Sequence, residues 1–80
     1  MQKKGHANKW LRTVGDNVRR ERKLAKLTQE RLAELADLAP RVVQKIEAGQ
    51  ITILVSTLRR LRKAIGCTYE KLLEETVGGH

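Results

Sequence analysis

The stretch TQERLAELADLAPRVVQKIEAG, residues 28–49, decides the fold that we expect for this chain. Thr28 can cap a helix over residues 29–36, because its hydroxyl can accept a hydrogen bond from an exposed backbone N–H. Pro40 fits the first turn of a second helix, where its missing N–H costs nothing, and Gly49 ends that helix. Two short helices joined by so tight a turn predict a helix-turn-helix, whose second helix can lie in a DNA major groove.

Apolar residues at helical spacing predict three further helices around this pair. We expect them at about residues 14–26, 56–65 and 69–76, with no convincing strand. The expected fold class is therefore all-α, a compact domain of five helices. The predicted divisions of the chain are a basic flexible arm, the helical domain and a C-terminal tail, at residues 1–12, 13–76 and 77–80.

Two features near the N-terminus are interpreted as structural. Thr13, followed three residues later by Asp16, resembles a capping box and would start the first helix. Trp10 is the only tryptophan in a chain without phenylalanine, so we expect it to pack on the core. It could fold back on the core as a cap, or it could extend the first helix by one turn.

Composition and charge narrow the classes of function. The chain has 17 Lys+Arg against 9 Asp+Glu, a formal net charge of +8. This excess favours polyanionic partners, nucleic acid before an anionic membrane. There is no run of about 20 apolar residues and no visible signal peptide. We therefore expect no membrane partner and a cytoplasmic location, or a nuclear one in a nucleated cell.

Catalytic and metal chemistry have little support in the sequence. Cys67 is the only cysteine, so there is no intrachain disulfide and no cysteine-based zinc site. His6 and His80 sit at opposite ends and lack metal-ligand spacing. We find no plausible Ser/His/Asp or Cys/His set and no glycine-rich phosphate loop. The expectation is no enzymatic activity, no metal and no cofactor.

Two segments of the chain resemble a known family. They are VGDNVRRERKLAKLTQERLAELADLAPRVVQKIEAGQ at residues 14–50 and TLRRLRKAIGCTYEKLL at residues 57–73. Both look like the phage-repressor or Cro-like helix-turn-helix regulators, also called the xenobiotic-response-element family. The resemblance implies a lambda-repressor-like domain of five helices that binds operator DNA, usually as a two-fold dimer.

The resemblance also implies roles for individual residues. Gln29 would bind a phosphate or buttress a base-contacting side chain, and Arg22 would form a partly buried ion pair with Glu47. Arg41 and Lys45 lie one helical turn apart and could both face base edges, although an ordinary exposed helix face would show the same spacing. The residues that we expect to contact DNA are Thr28, Gln29, Pro40, Arg41, Val42, Gln44 and Lys45.

Three departures from the family pattern matter. Ala39 and Pro40 replace a typical capping Ser or Thr and a polar reader, so one usual base contact is absent. Asp37 stands where glycine is common. The link after the third helix, polar in the family, is apolar here at Ile51, Ile53 and Leu54. Some of these three should pack in the core, and an exposed remainder would form a dimer interface.

The expected function is a DNA-binding transcriptional regulator that acts as a homodimer on a palindromic operator. Repression is the expected mode, and activation stays open. One alternative is the antitoxin of a toxin–antitoxin pair, which would also bind a toxin protein. Another is a protein-interaction module that has lost base readout. The Ala39-Pro40 pair and the apolar link favour that module, whereas the net charge and the Arg41/Lys45 pair count against it.

Overall fold

Five helices form in the computed structural model, which describes the backbone of residues 4–75 and the side chains of residues 9–75. They are α1 to α5, at Lys4–Leu24, Gln29–Ala36, Pro40–Glu47, Val55–Ile65 and Tyr69–Leu73. The last of them ends at Leu73, short of the expected end near residue 76. The expected all-α fold of five helices is confirmed, and no strand occurs within residues 4–75. None of these helices has the length and apolarity that crossing a membrane requires. The predicted tail, residues 77–80, lies outside the described part of the chain.

The first helix is longer than the sequence predicts. α1 begins at Lys4 rather than near residue 14, and it ends at Leu24. Residues 4–12, expected as part of a flexible arm, are therefore helical, whereas residues 1–3 lie outside the described range. The periodic apolar pattern fails to mark this extension because its residues are mostly polar, so the expected start of the helix is corrected to Lys4.

Thr13 lies inside α1 and does not start it. Its hydroxyl donates to the backbone carbonyl oxygen of Lys9, 3.0 Å away and one turn earlier. This back-bonding is a feature of helix interiors, so the predicted capping box of Thr13 and Asp16 is wrong. Trp10 extends α1, which is one of its two expected alternatives, but it is 53% exposed instead of packed in the core. The reason is length: α1 measures about 31 Å against about 12 Å for α3, so its first turns reach past the packed region.

All five helices contribute to one hydrophobic core. α1 packs on α3 and α5, and α2 packs on α3 and α4. Because α3 is held from both sides, only one of its faces is left toward solvent. The buried apolar residues are Val14, Val18, Leu32, Ala33, Ala36, Val43, Ile46, Leu61 and Leu72.

α2 turns its small residues toward its neighbours. Ala33 and Ala36 are buried beside Leu32, which lets the adjacent helices approach closely. Leu35, which the sequence places on the same apolar side, is 46% exposed at the edge of this contact. Leu24, in the last turn of α1, is 70% exposed because it lies about 240° around the helix axis from the buried Val18.

The ends of α2 and α3 follow local sequence signals. The Thr28 hydroxyl accepts a hydrogen bond from the Arg31 N–H at 2.9 Å, so the predicted cap of α2 is confirmed. Asp37 then adopts the left-handed conformation, with φ 58°, that glycine usually supplies. Ala39 precedes α3 in an extended conformation and makes no side-chain hydrogen bond. α3 is therefore under-capped, as its sequence predicts.

A polar cluster attaches α5 to α1. Asn17 is fully buried, and its Nδ2 donates to the carbonyl oxygens of Leu72 and Glu74, both 2.8 Å away. Arg20 donates from Nη1 to Asn17 Oδ1 at 3.1 Å and from Nη2 to the Glu74 carboxylate at 2.9 Å. The helical pattern alone places Arg20 on a solvated face. In the fold it satisfies the buried amide and holds the chain beyond α5.

Candidate nucleic-acid interface

Three of the residues predicted to contact DNA have polar side chains on the outward face of α3. Arg41, Gln44 and Lys45 are all exposed, while Val43 and Ile46 on the opposite face are buried. Within residues 9–75, neither Arg41 nor Lys45 takes part in an ion pair. Their positive charges are therefore available to an anionic or acceptor-rich partner.

The other two predicted contacts of α3 differ from each other. Pro40 is exposed at the first position of the helix, where it offers no N–H donor. Val42 is half-buried and packs against the core. Most of the Val42 side chain therefore serves packing, and only its exposed part is left for the predicted DNA contact.

A charged network fixes α3 to the two preceding helices. Arg22 Nε and Nη2 donate to the two Glu47 carboxylate oxygens at 2.7 and 3.1 Å. The two side chains are 10% and 3% exposed. Arg22 Nη1 also donates to the Leu27 carbonyl oxygen at 2.7 Å, and Gln29 Nε2 donates to Glu47 Oε1 at 3.0 Å. The structure thus brings Arg22, Gln29 and Glu47 together behind the outward face of α3.

An open polar cleft of about 320 Å³ lies over this network. Its lining residues are Arg19, Arg22, Gln29, Gln44, Glu47 and Ala48. Arg19 is exposed at its edge and joins no ion pair within residues 9–75. Arg19 is not among the residues predicted from the sequence to contact DNA. The signal that could have identified it is its position one helical turn before Arg22.

The basic residues of α4 divide into two groups. Arg59, Arg60 and Lys63 are exposed. Arg62 is half-buried, with its guanidinium 4.8 Å from the centre of the Tyr69 ring. The exposed basic face of α4 therefore consists of three residues, and Arg62 lies against the aromatic ring of α5.

Cys67 has the properties of a packing residue. It is half-buried against the core, and burial, followed by the nearby Glu21 carboxylate, raises the pKa of its thiol. A raised pKa keeps the side chain a neutral thiol, whereas the thiolate is the form that acts as nucleophile and metal ligand. Within the described residues, no three His, Cys, Asp or Glu side chains are grouped to hold a metal ion.

The apolar link before α4 and the first residue of that helix are only partly covered. Ile51 and Ile53 are half-buried against the core, whereas Leu54 and Val55 are 66% and 81% exposed. Ile53 and Val55 also border a small apolar groove of about 160 Å³ that Trp10 lines from α1. Of the three residues predicted for a dimer interface, Leu54 is the one most exposed to solvent.

Comparison with known proteins agrees with this architecture. The Cro/C1-type helix-turn-helix family model matches residues 18–72. A similar solved structure is the restriction-modification controller protein C.AhdI from Aeromonas hydrophila, with a TM-score of 0.75 and 29% sequence identity over 78% of this chain and 94% of that chain. A search of curated protein sequences found no significant match. Because the family match covers more than half of its length, this chain belongs to the Cro/C1-type helix-turn-helix family of DNA-binding transcriptional regulators.

Proposed function

We propose that this regulator is a cytoplasmic repressor that binds a palindromic operator as a homodimer. The observation that carries the proposal is the outward face of α3, with Arg41, Gln44 and Lys45 exposed and no carboxylate paired to the two cations. Arg41 stands near the N-terminal end of α3 and has the geometry to donate two hydrogen bonds to guanine O6 and N7. Lys45, one turn later, would bind a second guanine or a phosphate.

The network behind α3 supports the proposed mode of binding. One hydrogen of the Gln29 amide is given to Glu47, so the other hydrogen can be donated to a phosphate oxygen. Arg19, across the same polar cleft, would add a second phosphate contact. Phosphate contacts of this kind fix the orientation of the protein on the duplex, and the base contacts of α3 then supply the specificity.

Exposed apolar side chains support a dimer. Leu54, Val55 and Trp10 all leave more than half of their surface to solvent, and such patches mark interaction sites on soluble proteins. A two-fold dimer would present two copies of α3 to half-sites about ten base pairs apart. Occupation of such an operator within a promoter would block polymerase, and the controller role stated for C.AhdI is consistent with regulation of this kind.

Selection from random duplex DNA with the purified protein tests the proposal as a whole. We expect enrichment of a palindrome whose half-sites lie about ten base pairs apart. A single unpaired half-site would contradict the homodimer, and no enrichment would contradict sequence-specific binding. A reporter whose promoter overlaps the enriched site then tests the mode of regulation, because a repressor lowers expression and an activator raises it.

Arg41→Ala should weaken binding to the selected site by about 1–3 kcal/mol and relax the preference at one base pair. The reason is the loss of a bidentate contact that only guanine satisfies. The measurement is fluorescence anisotropy on the selected site and on its single-base variants at one salt concentration. Lys71→Ala, which removes an exposed charge from α5, is the matched control. Equal loss on every sequence would show that Arg41 contacts phosphate instead of a base.

Leu54→Ser combined with Val55→Ser should shift the protein from dimer toward monomer. These two side chains are exposed, so their replacement removes interface surface without opening a cavity in the core. Sedimentation velocity over a concentration series measures the change. Leu24→Ser, an equally apolar and exposed change at the end of α1, should leave the sedimentation profile intact. An unchanged profile for the double variant would contradict the proposed interface.

A further inference from the structure

A second surface of the protein lies between the C-terminal half of α2 and the second half of α4. It is an open cleft of about 460 Å³. The residues that line it are Leu35, Ala36, Asp37, Arg60, Lys63 and Ala64. Neither the residues predicted to contact DNA nor the exposed apolar residues of the 51–55 link belong to it.

The floor of this cleft is apolar. Leu35 is 46% exposed there, although it is a leucine on a helix that packs against two others. Ala36 and Ala64 flank it from the two helices, and their short side chains leave the depression open. An apolar floor with a few polar groups at the edge is typical of a site that receives an apolar side chain.

The rim of the cleft is basic. Arg60 and Lys63 are exposed and lie three positions apart, so they are neighbours on the surface of α4. Within residues 9–75 neither joins an ion pair, and Arg60 Nη1 donates only to the backbone carbonyl oxygen of Asp37, at 3.4 Å. The Asp37 carboxylate is the single acidic group of the lining. Because Arg60 and Lys63 carry two positive charges, the lining has an excess of positive charge.

The position of the cleft separates it from the proposed DNA contacts. Leu35 follows Gln29 by six residues, which places it about 9 Å farther along α2 and about 240° around the helix axis. A sugar-phosphate backbone could neutralise Arg60 and Lys63, but it would leave the exposed surface of Leu35 without an apolar partner. A peptide that carries both apolar and acidic side chains would satisfy both features.

We propose that the α2–α4 cleft docks an acidic amphipathic segment of a protein partner. An apolar side chain of that segment would pack on Leu35, and its carboxylates would pair with Arg60 and Lys63. This mode resembles the general one in which an amphipathic helix lays its apolar face into a groove. The proposal is independent of base readout, because Arg41 and Lys45, the residues proposed to read bases, do not line the cleft.

The test uses the full ¹⁵N-labelled chain and a synthetic peptide of about three helical turns, built from Glu, Ala and Leu with the leucines on one face. Titration followed by amide NMR should give saturable shifts confined to residues 35–37 and 60–64. Leu35→Ser should weaken binding about tenfold, as expected for a central apolar anchor. Leu24→Ser, which lies outside the cleft, should leave the affinity for the peptide unchanged.

The charge requirement is tested with a matched pair of double variants. Arg60→Glu with Lys63→Glu should abolish peptide binding, whereas Arg59→Glu with Lys71→Glu, an equal change of net charge outside the lining, should reduce it much less. All four side chains are exposed, so both variants should keep the dispersed spectrum of the folded chain.

Three results would overturn the proposal. The first is a set of shifts on α3 or the 51–55 link instead of the cleft, and the second is equal binding of a peptide with serine in place of leucine. The third is a loss of affinity for random duplex DNA when Arg60→Glu is combined with Lys63→Glu, with peptide binding unchanged. That result would assign Arg60 and Lys63 to contacts with the DNA backbone. None of these results bears on whether Arg41 reads a base, so the proposed repressor function is tested separately.

Discussion

Glu47→Ala should lower the free energy of unfolding by about 3–5 kcal/mol, because it leaves the Arg22 guanidinium buried without its counter-charge. Glu47 accepts three hydrogen bonds, two from Arg22 and one from Gln29. Both members of the ion pair are largely shielded from water, so water should compensate poorly for the lost carboxylate. Small domains have only about 5–15 kcal/mol of stability, and this variant should therefore be close to unfolding at physiological temperature.

Urea denaturation followed by circular dichroism measures this effect, with Glu34→Ala as the control. Glu34 pairs with Arg31 at 2.8 Å, but the two side chains are 70% and 54% exposed. Removing that pair should change stability by less than about 1 kcal/mol. Equal losses in the two variants would contradict a structural role for the buried pair.

A second variant distinguishes the effect of the unpaired charge on stability from the effect of lost packing at the same site. Arg22→Met with Glu47→Leu removes both charges and keeps apolar volume, so it should recover most of the stability that Glu47→Ala loses. Failure to recover would mean that the hydrogen bonds to Leu27 and Gln29, and not the uncompensated charge, account for most of the loss.

Gly15→Ala should destabilise the protein by about 1–3 kcal/mol, the usual range for forcing an extra group into a packed contact. Gly15 lies within α1, where alanine would be favoured by about 1 kcal/mol on helix propensity alone. However, a Cβ at this position would lie 3.0 Å from the Glu47 carbonyl oxygen and closer still to that of Ile46. These are backbone atoms at the end of α3, so α1 and α3 would have to separate.

The same denaturation experiment, combined with DNA binding, measures the result. Asp16→Ala, the next residue of α1 and an exposed one, is the matched control and should leave stability nearly unchanged. Gly15→Ala should also weaken operator binding, since a displaced α3 would no longer hold Arg41 and Lys45 in the position that binding requires. A gain in stability would contradict the close approach of the two helices.

The sequence by itself determined the elements whose signals are local. Thr28 caps α2, Pro40 opens α3 and Gly49, with φ 70°, ends it. Each of these effects depends on a few neighbouring residues, so the bounds of both helices can be predicted from the sequence. The ion pair of Arg22 with Glu47 came from family resemblance, because the two residues are far apart in the chain and no periodicity connects them.

The contacts of the candidate site with DNA remain predictions. The positions of its side chains depend partly on local helical spacing and partly on how the helices pack. Spacing placed Arg41 and Lys45 on one face, since side chains four residues apart in a helix are neighbours. The neighbourhood of Arg19 with Gln29 and Gln44 could not be predicted in the same way. It depends on how α1 crosses the two short helices, which is a property of packing.

Only the tertiary structure decided which side chains are covered and which are not. The burial of Asn17 depends on the end of α5, and the need for glycine at position 15 depends on the distance between α1 and α3. The exposure of Leu35 and Trp10 depends on where neighbouring helices stop. The physical reason is the same throughout: hydrogen-bonded caps and helical periodicity are set by adjacent residues, whereas close approach, burial and cleft formation are set by residues that meet only after the helices have packed.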